Sequence, residues 1–296
     1  MEGKTLMIIV QLRGGLGNQM FQYACGRRLA LERNVPLKLD LSWFSHQEER
    51  HFELNAFNIL AKTASLKEVD RLRNFSNKGY LRNIFVIFQR YQNKYKRRVI
   101  KEWQERSYDP NLLMAPKNCY LEGYWQSEKY FGSIAQTIRQ DYTLREPLPE
   151  LDQILAKEIR ENENSVSVHI RRGDYCTGNM GYWVGTLDYY LRAMQYIKAQ
   201  IPSPYFYFFS DDIGWVKNNF PQTGQEKFIE PRLESKSYLD MFLIMQCKHH
   251  VNANSSFSWW GAWMGERETS IVIVPNRWFQ DRPYPEDRVP ERWLRL

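Results

Sequence analysis

The sequence has no long apolar segment. Its 296 residues are 43% hydrophobic and 25% charged, which is typical of a globular protein. No stretch approaches the roughly 20 apolar residues that a membrane-spanning helix needs. The apolar run 7–12 is short, contains Gln11 and leads into a glycine-rich turn, so it predicts a first β-strand rather than a signal peptide. We therefore expect no membrane span and a cytoplasmic location.

Patterns for disulfides and metals are also missing. The four cysteines include no CxxC pair, the five histidines do not have zinc-ligand spacing, and no D-x-D triplet occurs. The missing D-x-D argues against a metal-bound diphosphate. We therefore predict free thiols and no metal cage.

Charge is present but does not identify a partner. The net charge of +7 suits an anionic ligand, a membrane surface or nucleic acid equally well. The segment 81–103 has an apolar start and a basic end, which is more often a solvated helix than a binding surface. We expect no nucleic-acid partner, and peripheral membrane association stays an alternative.

Strand and helix patterns alternate along the chain and predict parallel sheets in an α/β fold. In the second half, β-rich runs occupy 166–170, 205–209, 249–253 and 271–275, and helical patterns occupy 186–200, 212–220, 237–247 and 255–267. The first half starts with a strand at 7–12, a helix at 18–34 and a strand at 36–40. The proline-containing stretch 145–153 is the linker candidate, so we predict α/β domains at 1–150 and 151–296 with a cleft between them.

Three glycines follow the first strand in 13-RGGLGNQMFQYA-24. Glycine lets the chain turn tightly and lets a ligand approach the amides at a helix start, where an anion such as phosphate is favoured. A dinucleotide site using Asp40 as the ribose acid is an alternative, although Met20 replaces its third glycine. A tight turn without a ligand is the third interpretation.

Charged residues follow the strand 166–170 in the motif 169-HIRRGD-174. This is the carboxyl edge, where open α/β sheets bind ligands. Guanidinium donors match phosphate oxygens, so at least one of Arg171 and Arg172 is an anion-binding candidate, and Asp174 could orient it. The alternatives are a surface ion pair and, for His169, a core histidine.

Two further strands end in polar residues, 210-SDD-212 and 254-NSSFSWWGAW-263. The serines 255 and 256 can cap a helix or bind phosphate. The acidic pair 211–212 can accept hydrogen bonds from a base or ribose, cap a helix or bind a metal. The aromatic content of 15%, including ten Trp, provides faces for a sugar or base, although much of it belongs in the core.

Together these motifs resemble glycosyltransferase family 11, the bacterial α-1,2-fucosyltransferases. The similarity rests on RGGLGNQMFQYA, LEGYWQSEKYF, HIRRGDY, SDDIGWV and NANSSFSWWGAW, in that order. It implies a GT-B-type fold of two Rossmann-like domains. It also implies inverting transfer of L-fucose from GDP-fucose to the 2-hydroxyl of a terminal or subterminal galactose, without a metal and with no required cofactor.

The resemblance assigns roles at the middle motif. Arg171 would stabilise the charge that develops on the β-phosphate, and Arg172 would support it. His169 would lie near the nucleotide or its ribose. Asp211 would recognise guanine, with Asp212 as the alternative.

The resemblance also assigns the two helix starts. Ser255, Ser256 and Phe257 would hold the pyrophosphate through hydroxyls and amides. The first turn would contact the donor from the opposite domain through Gly15, Gly17, Asn18 and Gln19, with Asn18 as a further catalytic candidate.

The base for the acceptor hydroxyl is not identified, although such a base contributes about 10²–10⁴-fold. Asp174 is one catalytic candidate, and Asp40 could contact the acceptor. Some distantly related fucosyltransferases place a glutamate where this chain has Asn179. The loop 175–183 is predicted to form an acceptor wall, with Tyr175 and Trp183 as contacts.

Three other functions remain open. A nicotinamide-dependent oxidoreductase would use the first turn and leave the arginine motif without a role. A non-catalytic glycan-binding protein would have no need of phosphate-binding strand ends. A transferase that uses another nucleotide sugar is the third.

Overall fold

A computed structural model of the chain describes residues 6–48, 50–73, 96–102, 108–177, 181–233 and 236–296. The chain divides into two compact units. Unit 1 extends to Arg145 and includes Glu286–Arg288, and unit 2 comprises Glu146–Pro285 and Val289–Leu296. The division after Arg145 falls within the stretch 145–153, but an α-helix begins at Glu150, so only the first residues of that stretch connect the units.

Unit 1 contains a parallel five-stranded sheet in the order β3-β2-β1-β5-β4. The strands are β1 (Ile8–Gln11), β2 (Leu37–Asp40), β3 (Lys62–Thr63), β4 (Val99–Lys101) and β5 (Cys119–Glu122). Its helices are α1 (Leu16–Arg33), α2 (Leu66–Arg73) and α3 (Ala135–Asp141). The strand order changes direction between β1 and β5, and a ligand crevice opens at such a point in α/β sheets.

Helix α1 is buried on most of its surface because its first three turns are rich in apolar and small residues. Phe21, Tyr23 and Ala24 are at most 1% exposed. The helix ends at Asn34, whose φ of 52° is left-handed and whose N–H bonds to carbonyls of the last turn. Helix α1 is therefore a fixed core element that holds the turn before it.

Unit 2 contains a parallel six-stranded sheet in the order β11-β10-β9-β6-β7-β8, the strand order of a Rossmann fold. The strands are β6 (Ser165–Ile170), β7 (Tyr205–Ser210), β8 (Glu226–Ile229), β9 (His249–Val251), β10 (Val272–Val274) and β11 (Leu294–Arg295). The helices are α4 (Glu150–Glu161), α5 (Gly173–Thr177), α6 (Leu187–Gln200), α7 (Ile213–Asn219), α8 (Ser237–Ile244) and α9 (Ser256–Gly265). The switch point lies between β6 and β9.

Both faces of this second sheet are covered. Val166, Val168 and Ile170 pack in one cluster with residues of α6. Alternate residues of β7, including Phe209, pack on the other face with residues of α4 and α8. The two α/β units confirm the predicted fold class of two Rossmann-like domains.

Many aromatic residues belong to the core rather than to a ligand surface. In α9, Trp259, Trp260 and Trp263 are at most 1% exposed. The Trp259 ring also packs on Trp293, with ring centroids 5.4 Å apart. The tryptophans that follow the two serines of the last motif therefore anchor the helix start in place.

Across the described ranges, no helix is both long and apolar enough to cross a membrane. The peripheral membrane association left open above gains no support from this finding. Most of the basic segment 81–103 lies outside the described residues.

Candidate active site

The switch point of unit 2 brings two of the predicted motifs together. Strand β6 pairs with β9 in parallel, with Val168 opposite Val251. Because parallel strands end at the same edge, the residues after β6 and β9 share one region of the sheet. The HIRRGD motif and the NANSSFSWW motif are therefore neighbours at the carboxyl edge.

Arg171 is held between two carboxylates. Its Nε and Nη2 lie 2.9 and 2.8 Å from Asp174 Oδ1, and its Nη1 lies 3.1 Å from Asp211 Oδ2. Burial alone would lower the pKa of Arg171, but the charges of Asp211 and Asp174 outweigh it and raise that pKa. The side chain retains 25% exposure. A permanent, oriented cation therefore lies at the edge with part of its surface accessible.

Asp211 links the two arginines. Its Oδ2 accepts from Arg171, and its Oδ1 accepts from the backbone N–H of Arg172 at 2.9 Å. A Cβ atom at position 173 would lie 2.7 Å from Asp211 Oδ2, so Gly173 permits this close approach. Both oxygens of Asp211 thus shape the arginine loop, and guanine recognition by Asp211 stays a prediction.

Arg172 is fixed by an aromatic ring and a second carboxylate. Its guanidinium carbon lies 3.8 Å from the centroid of the Trp215 ring, and its Nε lies 3.2 Å from Asp212 Oδ2. Asp212 also caps α7, because its Oδ1 accepts from the Trp215 N–H at 3.1 Å. The capping role considered for the acidic pair is thus observed at Asp212, whose side chain is still 43% exposed.

His169 is buried at the end of β6 and is neutral. Its Nδ1 lies 2.5 Å from the hydroxyl oxygen of Ser258 in α9, and its ring lies 5.3 Å from the Phe257 ring. Burial, together with the charge of Arg171, lowers the pKa of His169 to about 3. His169 therefore combines a core position with a place beside the arginine loop.

Ser255 is the N-cap of α9, and its hydroxyl accepts from the Phe257 N–H at 3.2 Å. Ser256 is half-buried at the first position of the helix. No acidic residue occurs in the first turn, so the helix dipole there is not neutralised by a side chain. This helix start can attract an anion. Binding of a diphosphate by Ser255 and Ser256 stays a prediction.

The predicted acceptor wall is partly buried. The Tyr175 hydroxyl donates to the Asn254 carbonyl at 3.2 Å, and its ring stacks on Tyr182 with centroids 4.7 Å apart. Trp183 packs against the core and lies edge-on to Tyr189. Residues 178–180, including Asn179, lie outside the described ranges. Acceptor binding by Tyr175 and Trp183 remains a prediction.

In unit 1 the first turn requires a glycine at position 14. Gly14 has φ of +77°, and a Cβ there would lie 2.5 Å from the Asn18 amide nitrogen. Gly15 is the N-cap of α1 and provides no side-chain cap, while Gly17 is buried in the helix. The structure contains both a tight turn and a helix start without a side-chain cap. The same geometry is therefore compatible with a phosphate site and with a turn that binds no ligand.

Gln19 is fully buried and stabilises this turn. Its amide nitrogen donates to the carbonyls of Gly14 and His51 at 3.0 and 2.7 Å, and its oxygen accepts from the Glu53 N–H at 3.0 Å. These bonds use both polar atoms of Gln19. Its contact with a donor stays a prediction, and the structure gives it a role in holding the loop that follows.

Asp40 is also buried, at 2% exposure. Its Oδ1 accepts from the Ser42 N–H at 2.9 Å, and its Oδ2 accepts from the Tyr120 hydroxyl at 2.6 Å. The carboxylate therefore links β2 to β5 within unit 1. Neither ribose binding nor acceptor binding gains support from this position.

The sequence analysis did not single out four residues that the structure places beside the motifs. Gln126 donates to Asn18 Oδ1 at 2.6 Å, and Arg13 lies over the Tyr124 ring at 4.2 Å. Ser258, described above, follows Ser256 by two residues. Gln126 and Ser258 belong to motifs that carry the family resemblance, so the sequence did mark their positions. Their hydrogen-bond partners lie about 90 to 110 residues away along the chain, and the sequence alone does not show such pairings.

The acidic residues and histidines of the described part of the chain bear on metal binding. Within it, no group of three His, Cys, Asp or Glu residues is arranged to hold a metal ion. The acidic residues of the arginine loop are instead paired with Arg171 and Arg172. The side chains at this edge therefore form a set of oriented cations and N–H donors.

Comparison with known proteins identifies the family. The model of glycosyl transferase family 11 matches residues 1–295. An α-1,2-colitosyltransferase of Escherichia coli is 34% identical over 304 residues, covering 98% of this chain and 99% of that protein. Galactoside α-(1,2)-fucosyltransferase 1 of Homo sapiens is 28% identical over 212 residues, covering 66% of this chain and 56% of that protein.

A solved structure supports the fold. Fucosyltransferase NodZ from Bradyrhizobium aligns with a TM-score of 0.50 at 14% sequence identity, covering 88% of this chain and 93% of NodZ. At this identity the likeness concerns the fold alone, and it confirms the GT-B-type class. Because the family model spans nearly the whole sequence, the chain belongs to glycosyltransferase family 11.

Proposed function

We propose that this glycosyltransferase moves L-fucose from GDP-fucose to the 2-hydroxyl of a terminal or subterminal galactose in an oligosaccharide, with inversion. The observation that carries the proposal is Arg171, a cation held by Asp174 and Asp211 at the switch point of a Rossmann-like unit. A departing GDP gains negative charge on its β-phosphate. A preorganised cation lowers the barrier by stabilising that charge more strongly in the transition state than in the ground state.

The start of α9 supplies the neutral part of the diphosphate site. The first turn of this ten-residue helix contains no acidic residue, and the helix dipole favours a phosphate at that end. Ser255 and Ser256 would contribute hydroxyls, and the Phe257 amide would contribute an N–H. From unit 1, Gly15, Gly17 and Asn18 would contact the donor at their own helix start.

We assign the acidic residues of the arginine loop to different tasks. Asp174 positions Arg171, because its Oδ1 accepts from both Nε and Nη2 of that guanidinium. Asp211 holds the arginine loop together. Asp212 has the more exposed carboxylate, so it is the better candidate for hydrogen bonds with guanine.

The donor sugar is the part of the proposal with a direct competitor. The relative that covers nearly all of this chain is named for colitosyl transfer, whereas the human relative is named for fucosyl transfer to a galactoside. Both names specify an α-1,2 linkage, which supports the 2-hydroxyl as the acceptor atom. GDP-colitose is therefore tested beside GDP-fucose. A cytoplasmic location belongs to the same proposal.

The test incubates the enzyme with lactose, EDTA and each GDP-sugar in turn, and measures GDP release, product mass and anomeric configuration by NMR. We expect a fucosylated product with inverted configuration. Arg171→Lys keeps the charge but loses the two-pronged donor geometry, so we expect its turnover to fall by about 10²-fold. Arg192→Lys, at an exposed ion pair with Asp188, is the matched control and should retain activity.

The outcomes separate the parts of the proposal. Transfer from GDP-colitose alone would contradict the fucose assignment and keep the linkage. Full turnover in Arg171→Lys would contradict the role of Arg171. Absence of GDP release with both donors and several galactosides would contradict the proposed function.

A further inference from the structure

Two serine–histidine pairs lie on one face of the unit 2 sheet. Residues two apart on a strand point to the same face, so Ser167 and His169 of β6 project together. The hydroxyl oxygen of Ser167 lies 2.8 Å from His250 Nδ1, and that of Ser258 lies 2.5 Å from His169 Nδ1. All four side chains are at most 6% exposed. Ser167 and His250 lie within strands β6 and β9, whereas His169 and Ser258 lie near the carboxyl edge of the sheet.

The Ser258 hydroxyl determines which ring nitrogen of His169 carries the proton. Among the described residues, His169 Nδ1 is the one hydrogen-bond partner of this hydroxyl. If Nδ1–H donated to the oxygen, the buried O–H would be left without an acceptor, at a cost of about 1–3 kcal/mol. If the hydroxyl donates to Nδ1, its proton is satisfied and the ring proton lies on Nε2. The second arrangement is therefore favoured.

The Nε2 atoms of His169 and His250 differ in their surroundings. Within the described residues, His250 Nε2 is a fully buried atom that has no hydrogen-bond partner. His169 Nε2 does not belong to this class of fully buried, unpartnered atoms. His169 is followed within two residues by Arg171 and lies beside Phe257 at the start of α9. Its Nε2 is thus the ring atom that can meet a ligand at this edge.

We propose that Ser258 is a positioning residue that fixes His169 as the Nε2–H tautomer, so that the ring donates a neutral hydrogen bond to a phosphate oxygen of the nucleotide. The ligand in this statement rests on the proposed function, whereas the tautomer does not. A neutral donor adds no charge next to Arg171, so the two residues bind one anion without repelling each other.

The first measurement is independent of any ligand. The free protein, labelled with ¹⁵N in its histidine rings, is studied by long-range ¹H–¹⁵N correlation NMR, and the His169 signals are assigned from their loss in His169→Gln. We expect Nε2 to be protonated and Nδ1 to be an unprotonated acceptor. A protonated Nδ1 in the wild-type protein would overturn the proposal.

The second measurement uses GDP affinity, determined by titration calorimetry. Ser258→Ala should weaken GDP binding by about 10-fold, because the ring loses its fixed tautomer and orientation. Ser167→Ala removes the equivalent buried bond from His250 and is the matched control. We expect it to lose a similar amount of thermal stability and to keep wild-type affinity. Equal GDP affinities in the two variants would overturn the proposal.

A second pair of variants tests the proposal if Ser258→Ala does not fold. The Gln amide of His169→Gln extends to the position of Nε2, whereas that of His169→Asn extends only to the position of Nδ1. We expect GDP affinity to be about 10-fold higher in His169→Gln than in His169→Asn. The reverse order would count against an Nε2 donor. If GDP does not bind the wild-type enzyme, the proposed function fails and the NMR result alone decides the tautomer.

Discussion

At the scale of single residues, the unit 2 sheet contains histidines that stay neutral well below the usual range. Burial is the main cause, and it lowers the pKa of His250 to about 3, with His249 and Arg267 adding to the effect. The pKa of His169 is lowered to about 3 by burial and by Arg171. In the unfolded chain a histidine binds a proton near pH 6.5. Folding therefore excludes protons at these sites between about pH 6.5 and 3.

This difference predicts acid destabilisation. In that pH window the unfolded state binds more protons than the folded state, so the free energy of unfolding falls as pH falls. The expected slope is about 1.4 kcal/mol per pH unit for each such histidine. Urea unfolding at pH 7, 6 and 5 measures it. His250→Gln should reduce the slope by about one histidine's share, and His46→Gln, at an exposed position, serves as the control. An unchanged slope in His250→Gln would contradict this account.

The arginine cluster was predictable from residue identity. Two adjacent arginines directly after a buried strand belong at the carboxyl edge of the sheet, where carboxylates can pair with them. The resemblance placed Gln19 among the donor contacts, and the strand-end position of Asp40 placed that residue at a ligand surface. The structure buries both side chains, and their ligand roles stay predictions. Their burial depends on partners far along the chain, such as Tyr120 for Asp40. A single sequence does not indicate such pairings, so an internal polar link and a binding residue look alike.

At the scale of elements, the β1–α1 turn depends on one glycine conformation. Gly14→Ala would place a Cβ in a left-handed backbone and 2.5 Å from the Asn18 amide nitrogen. The left-handed conformation alone costs a non-glycine residue about 1–2 kcal/mol, so we expect a loss of at least that size in the free energy of unfolding. Denaturant titration provides the measurement.

The neighbouring glycine is the control for that substitution. Gly15 has φ of −73°, and a Cβ there would meet its nearest atom, on Arg50, at 3.5 Å. Gly15→Ala should therefore cost less than Gly14→Ala, at most about 1 kcal/mol, which reflects the preference for glycine over alanine at an N-cap. Equal losses in the two variants would show that the turn does not depend on the backbone of Gly14.

The alternation of strands and helices in the second half was predictable because buried parallel strands are continuous apolar runs. Strands β3, β4, β8 and β11 were not predicted, and all four lie at the edges of their sheets. The interior strand β5 was not predicted either. Helix α4 was missed because its N-cap, Pro149, suggested a linker, although proline is tolerated at a helix start. Edge position explains the four edge strands, and helix-start chemistry explains α4.

At the scale of the whole molecule, the family was predictable and the donor sugar was not. The motifs HIRRGD and NANSSFSWW, at the ends of β6 and β9, carry much of the resemblance to the family. Relatives in the comparison are named for colitosyl and for fucosyl transfer, so membership of the family does not specify the donor sugar. Each unit by itself has the Rossmann-like organisation that the resemblance implied.

We propose that Arg171, at the switch point of unit 2, forms the diphosphate site. This proposal is tested most directly by calorimetric titration of GDP into the wild-type enzyme, Arg171→Ala and Arg192→Ala, all in EDTA. We expect wild-type and Arg192→Ala affinities to agree and Arg171→Ala to bind at least about 30-fold more weakly, as removal of a charged hydrogen-bond donor costs 2 kcal/mol or more. Equal affinity of all three proteins for GDP would contradict the account.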